Sequence, residues 1–277
     1  MKSFFTRLIS GIVLLAIIIS TGIVGGPVLF GFTLLISLIG YWEFLQVFGL
    51  EKKAPGIWGM IFVVLYYGTV YMGEALNLAG PLLLVAFLMV LMGVYVVTFP
   101  KYKTDEITAP FFGLVYVALM LSFLYQTRMV PIEGKNTPIV YFLIFICSWG
   151  CDTCAYCAGM LFGRHKLAPV LSPKKSIEGA IGGMVGAALL GALYGAVFGT
   201  HMEEVGNPVI ACCAACAIAA VISQIGDLAA SAIKRNHQVK DYGTLIPGHG
   251  GILDRFDSMT VTAPMTYFLA ILMIGLR

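Results

Sequence analysis

Long apolar runs separated by short polar stretches organise the chain from end to end. A helix needs about 20 mostly apolar residues to cross a hydrocarbon layer ~30 Å thick. Nine runs approach or exceed that length, at residues 8–25, 28–48, 57–73, 78–98, 108–127, 138–160, 178–198, 207–230 and 258–276. Pro27, Gly56, Pro81, Pro110, Pro138, Gly199 and Pro208 lie close to where these runs begin or end, as residues that start or stop helices should. No small-x-small cleavage site with a soluble domain behind it follows Leu8–Val24, so that run reads as a span and not as a signal peptide. The pattern predicts an all-α fold: a polytopic integral membrane protein with about nine transmembrane helices. It reads as a single membrane domain, 1–277, with N-terminal helices over 1–135 and the polar motifs gathered in 136–277.

Composition agrees with a bilayer as the main solvent. Hydrophobic residues make up 59% of the chain and mean hydropathy is +0.92. Charged residues supply 11%, against roughly 25% in a soluble domain. A soluble enzyme, a disordered chain, a collagen-like fibre and a secreted disulfide scaffold are thereby excluded. The net charge of +3 is too small to suggest a nucleic-acid partner.

The placement of charge sets an orientation. With the N-terminus inside and the spans alternating, Lys2, Arg7, Lys52, Lys53, Lys101, Lys103, Arg164, Lys166, Lys174, Lys175, Lys234, Arg235, Lys240 and Arg255 fall inside. Only Arg128, Lys135 and Arg277 fall outside, a strong positive-inside bias that predicts N-in and C-out. The two longest inside connections, 161–177 and 231–257, carry more than half of the inside cations. Chemistry is therefore expected at the cytoplasmic face of the inner membrane.

The later connection and its flanks hold the densest chemistry. Asp227 lies late in the eighth apolar run, where a carboxylate costs about 2.5–3.5 kcal/mol at a helix centre and calls for a partner, a wet cavity or a metal. Ser223, Asp227 and Ser231 follow at four-residue intervals along one helix face, with Lys234 next on that side. Pro247-Gly248-His249-Gly250-Gly251 is a sharp glycine-rich turn whose backbone N–H groups can converge on an anion. Asp254 and Asp257, three apart, open the last helix. Carboxylates, cations, a histidine and an anion nest at one membrane face suit a divalent ion bridging phosphates. The plainer reading is ordinary topology-setting Lys and Arg with Asp257 as a helix cap.

The earlier connection has Asp152 and, one turn on, Tyr156 inside the sixth run, then Gly163-Arg164-His165-Lys166 and Ser172-Pro173-Lys174-Lys175-Ser176-Ile177-Glu178-Gly179. Hydroxyls and ammoniums converging before a helix near Ser176 suggest a phosphate or nucleotide clamp. The plainer reading is a positive-inside loop with a capped helix. Cys151, Cys154 and Cys157 share a two-residue spacing, but on a helix they spread over two turns with no fourth ligand close behind. They read as packing residues, with Cys147, Cys212, Cys213 and Cys216. Glu43 suits either a headgroup contact or a pairing with a neighbouring helix. His201, Glu203 and Glu204 lie outside and carry no assigned role.

The run from Ser231 to Asp257 resembles the signature of the phosphatidate cytidylyltransferase (CDP-diacylglycerol synthase) family. Its pattern is Ser-x-hydrophobic-Lys-Arg, four residues, Lys-Asp, a spacer, then Pro-x-His-Gly-Gly-hydrophobic-x-Asp-Arg-hydrophobic-Asp, and this sequence fits it without a gap. Ser172-Pro-Lys-Lys-Ser-x-Glu-Gly is similar to a second family motif, and Arg7–Gly11 and the polytopic layout extend the likeness over the whole chain. One departure is Cys154, where the family tends to have glycine in Asp-Thr-Gly-Ala-Tyr.

The resemblance implies transfer of a cytidylyl group, CTP + phosphatidic acid → CDP-diacylglycerol + pyrophosphate, by an enzyme that forms a homodimer in the bilayer. It implies that Asp227 and Asp254 hold Mg²⁺, with Asp257 as a third ligand or orienting group and room for a second cation. Lys234, Arg235, Lys240 and Arg255 would neutralise the triphosphate or the leaving pyrophosphate. His249, Gly250 and Gly251 would offer backbone N–H groups. Ser172, Lys174, Lys175, Glu178, Ser231 and Asp241 would complete the substrate site. Two other readings stay open at this point: another CTP-dependent membrane lipid enzyme (a polyprenol kinase or an archaeol-type cytidylyltransferase), and an ion-coupled transporter using Glu43, Asp152 and Asp227.

Overall fold

A computed structural model describes residues 2–73, 79–132, 135–136, 138–202, 205–248 and 250–275. Within them the chain forms nine long helices: α1 (Lys2–Val24), α2 (Gly26–Val47), α3 (Ala54–Met72), α4 (Ala79–Thr98), α5 (Thr104–Met129), α6 (Ile139–Phe162), α7 (Ile177–Phe198), α8 (Pro208–Asn236) and α9 (Leu253–Gly275). The helices α2 to α9 are each long and apolar enough to cross a membrane, and α1 contributes the apolar stretch Ile9–Val24. All nine apolar runs read from the sequence are helices, and the fold is that of an all-α integral membrane protein.

Two differences from the sequence reading bear on the site. Helix α8 runs beyond its apolar run to Asn236, so Lys234 and Arg235 are helical residues, while α9 starts at Leu253, as the expected helix start near Asp254 requires. The connection expected as a plain loop at 161–177 contains an antiparallel hairpin. Two-residue strands β1 (Pro131–Ile132) and β2 (Lys135–Asn136) pair earlier in the chain, and β3 (Lys166–Ala168) pairs with β4 (Ser172–Ser176) in this one. Period-two alternation is too short over three to five residues to announce such strands. Both α5 and α6 contain a π-helical segment, Leu114–Leu119 and Ile146–Gly150, each of which resets the helix face that follows it.

The chain divides into two compact units. One comprises the residues up to Ser122 together with His237–Phe256; the other comprises Phe123–Asn236 and the chain from Asp257 onward. In the first, α2 packs on α3 and on the π segment of α5 through buried aromatics. Tyr41 donates its hydroxyl to the Pro110 carbonyl at 2.9 Å, and Tyr67 bonds Ser37 at 2.5 Å. Helix α4 buries only Phe87 and Leu91; Met89, Val96 and Val97 are among its most exposed side chains, as a lipid-facing helix requires.

In the second unit, α7 is the central element between α6 and α8. Its buried positions are Gly179, Gly183, Ala187, Gly191 and Gly195, one small residue per turn. Lipid gives helices little hydrophobic reason to associate, so close backbone approach along small residues supplies the packing energy. The cysteines belong to this packing: Cys147, Cys151, Cys212 and Cys216 are buried together with Ala187, Ala215, Ala219 and Ala220, and all seven are free thiols. Cys154, the departure noted in the sequence, lies directly against Gly186 of α7, which leaves room for its sulfur.

Candidate functional site

The candidate residues gather in two clusters, one in each unit. In the second unit, Asp227 on α8 forms an ion pair with Lys175 at the end of β4. Asp257, in the first turns of α9, is 9% exposed and lies 3.8 Å from the ammonium of Lys234, also 9% exposed. Its other carboxylate oxygen accepts the Ser258 N–H at 2.8 Å. The negative charges of Asp227 and Asp152 both act on Asp257. Gly226 explains how α8 and α9 come this close: a side-chain carbon there would collide with Val261 and press on the Asp257 carbonyl. Two ion pairs, Asp227 with Lys175 and Asp257 with Lys234, thus stand among otherwise apolar helices, where an unpaired charge would be strongly disfavoured.

A cavity of ≈ 380 Å³ opens beside this cluster. Asp152, Tyr156, Lys174, Lys175, Gln224 and Asp227 give it polar walls, and Met160 and Leu167 give it an apolar side. Gln224 donates to the Ala180 carbonyl at 3.1 Å, tying α8 to α7 at the cavity's edge. Ser172, Ser231 and Arg235 are not among its lining residues. Ser176 caps α7, its hydroxyl accepting the Gly179 N–H at 3.1 Å. Glu178 turns away from the cavity: it accepts the N–H groups of Arg164 and His165 at 3.0 and 3.2 Å and meets His165 Nδ1 at 2.6 Å. Its visible task is to fasten the foot of the β3–β4 hairpin, which carries Lys174 and Lys175.

In the first unit, the segment 240–255 forms a groove of ≈ 490 Å³ lined by Lys240, Asp241, Thr244, Gly248, Gly250 and Arg255, among others. Ile246 donates to the Gly250 carbonyl at 2.8 Å, closing the glycine-rich turn. Gly248 and Gly250 adopt φ of 79° and 85°, a left-handed conformation that favours glycine. Asp254 is 6% exposed and one of its oxygens receives two N–H groups, from Gly251 at 3.0 Å and Tyr242 at 2.8 Å. The Nε of Arg255 is buried and has no hydrogen-bond partner within the described residues. His249 lies outside the described residues.

Glu43 belongs to this second cluster, and the sequence did not say so. It reaches from α2 to the start of α9, where its two oxygens accept the N–H groups of Ile252 at 3.0 Å and Leu253 at 2.8 Å. A pairing with a neighbouring helix was one of two readings; the partner, some 209 residues away, has no sequence signal. Lys175 as the partner of Asp227 is equally invisible along the chain.

Magnesium favours hard oxygen donors, and one or two carboxylates plus substrate phosphates suffice for it. The Asp227–Asp257 neighbourhood meets that demand, with two acids held close and each offset by a lysine. No group of three or more His, Cys, Asp or Glu poised for a metal occurs among the described residues. The donor set therefore fits a hard ion completed by phosphate oxygens and not a closed all-protein cage.

The fold is that of an integral membrane protein, and its charged side chains gather on the β3–β4 hairpin, the end of α8 and the segment that leads into α9. The chain belongs to the cytidylyltransferase family, whose sequence profile matches residues 5–273. Similar proteins include the phosphatidate cytidylyltransferases of Staphylococcus epidermidis, 30% identical over 96% of this chain and 98% of that protein; of Staphylococcus haemolyticus, 30% identical over 96% and 99%; and of Staphylococcus aureus, 31% identical over 96% and 98%.

Proposed function

We propose that the protein transfers the cytidylyl group of CTP to phosphatidate, releasing pyrophosphate and forming CDP-diacylglycerol. The observation that carries this reading is the acid-and-lysine cavity of the second unit, set within apolar helices of a chain that matches the cytidylyltransferase family almost throughout. A phosphate oxygen of the lipid attacks the α-phosphorus of CTP, and the bond to the β-phosphate bridging oxygen breaks. Phosphatidate is an anion near neutral pH, so the step needs no strong general base. Two polyanions must instead be brought together, which makes charge neutralisation the main task.

Lys174 and Lys175 offer ammoniums to phosphate at the mouth of the cavity, whose apolar side accepts the acyl-chain end of the lipid. Within the first unit, Lys240 and Arg255 make the glycine-rich groove an anion-binding surface by itself, joined by Thr244 and the turn's N–H groups. Lys234 sets a cation 3.8 Å from the Asp257 carboxylate. Asp227 and Asp257 are the residues suited to hold Mg²⁺, which when bound would neutralise phosphate charge. Asp254, expected from the sequence as a metal ligand, holds the N–H groups of Tyr242 and Gly251; the Mg²⁺ requirement of Asp254→Asn tests whether it binds metal or orders the loop. Lys175 leaves Asp227 for a phosphate oxygen as substrate arrives.

We further propose that both clusters face the cytoplasm, in keeping with the charge bias of the sequence, and that the protein pairs as a homodimer, which rests on the family resemblance alone. The test of function uses purified protein in detergent with phosphatidate, Mg²⁺ and CTP labelled at either the α- or the γ-phosphate. The α-label should enter the lipid and the γ-label should leave as pyrophosphate. A γ-label in the lipid would mean a kinase, and no lipid label from either would refute the assignment. Transport is silent in this assay because detergent leaves no sealed compartment.

A further inference from the structure

We infer that Glu43 is a positioning residue for the glycine-rich loop, and that Gly243 and Gly251 keep open the space its carboxylate occupies. Glu43 is 4% exposed, and its carboxylate lies at the N-terminus of α9, accepting Ile252 and Leu253 N–H at 3.0 and 2.8 Å. A negative charge there meets the positive end of the helix dipole and satisfies two N–H groups that have no partner inside the helix. On either side of it the backbone comes too close for any side chain. A carbon built on Gly243 or on Gly251 would run into the Glu43 carboxylate. Both glycines lie within the groove segment, Gly243 lining the groove itself, and Gly251 also donates to Asp254. One buried acid from α2 therefore fixes where α9 begins and which way the turn of Gly248 and Gly250 presents its N–H groups.

The inference deepens the proposed function, since a misplaced loop would weaken the hold on the nucleotide, but its structural half is independent of any activity. Hydrogen–deuterium exchange of the segment 240–256 in full-length protein reads the loop directly. Glu43→Gln should speed exchange there by about tenfold or more, because a charged acceptor is replaced by a weaker neutral one. Unchanged exchange would overturn the inference whatever the enzyme does. Turnover supplies the second readout: Glu43→Gln should raise KM for CTP about tenfold while KM for phosphatidate stays within about twofold. Equal changes in both would mean a merely structural role and would overturn it as well.

Should Glu43→Gln fail to fold, a coupled pair of variants keeps the question open to test. Gly243→Ala alone should lower kcat/KM for CTP about tenfold, because its methyl strikes the carboxylate. Glu43→Asp withdraws the carboxylate by one methylene, so adding it to Gly243→Ala should restore kcat/KM to within about threefold of Glu43→Asp alone. Simple multiplication of the two single losses would contradict the contact. If the wild-type protein transfers no cytidylyl group, the functional reading fails and the exchange experiment still decides the role of Glu43.

Discussion

Lys175 and Asp227 answer each other across 52 residues of sequence, joining a loop strand to a membrane helix. The pair solves the problem of an acid in an apolar helix and, in the proposed reaction, supplies a cation for phosphate. Lys175→Met should therefore cut cytidylyl transfer on the order of 10²-fold, measured as initial rate at saturating CTP. A rate within twofold of wild type would show that the lysine serves the fold alone. The sequence displayed the acids plainly, because a carboxylate in an apolar run is expensive wherever it falls. It displayed Ser172, Lys174, Lys175 and Ser176 as a clamp, with Glu178 counted in the same substrate site, and the structure divides that group. Lys174 and Lys175 line the cavity, Ser172 does not, and Glu178 anchors the hairpin foot. Spacing along a strand and helix start does not reveal which way each side chain turns, so this division was not legible in advance.

Close contact between elements depends on a few small residues. Gly226 allows α8 and α9 to approach beside Asp227 and Asp257. Gly226→Val should overpack that contact, destabilising the protein by about 1–3 kcal/mol and lowering its thermal midpoint in detergent; an unchanged midpoint would mean the helices yield freely. In the cavity wall, Ser176→Ala removes the N-cap of α7 and should cost about 1 kcal/mol, read as a lower thermal midpoint. Helix limits were legible because the bilayer demands a minimum apolar length. Where α8 overran its apolar run, the extra turn is polar, closed by Lys234 and Arg235. Polarity alone suggested loop. The π segments of α5 and α6 leave no pattern in hydropathy, since a single extra residue in a turn changes facing without changing composition.

The whole molecule is a membrane body whose recognisable chemistry is confined to segments that the charge bias assigns to one side. Trypsin should cut the β3–β4 hairpin, at Lys166 or Lys174, in inside-out vesicles and not in sealed right-side-out ones; cleavage in the latter would reverse the proposed orientation. The proposed orientation rests on the same bias, because Lys and Arg are costly to translocate. The contacts of Glu43 with α9 were unreadable along the chain. They link positions far apart in sequence through backbone N–H groups, which every residue but proline possesses.

The central claim is that Asp227 and Asp257 form the acid pair for cytidylyl transfer. Its most direct measurement is the rate of α-labelled CTP incorporation into phosphatidate as Mg²⁺ is titrated, for wild type, Asp227→Asn and Asp257→Asn, each first shown to be folded by its thermal midpoint. The account predicts that both variants fall on the order of 10²-fold or more at any Mg²⁺ concentration, or approach wild type only at far higher Mg²⁺. Wild-type rates and wild-type Mg²⁺ dependence in either folded variant would contradict it.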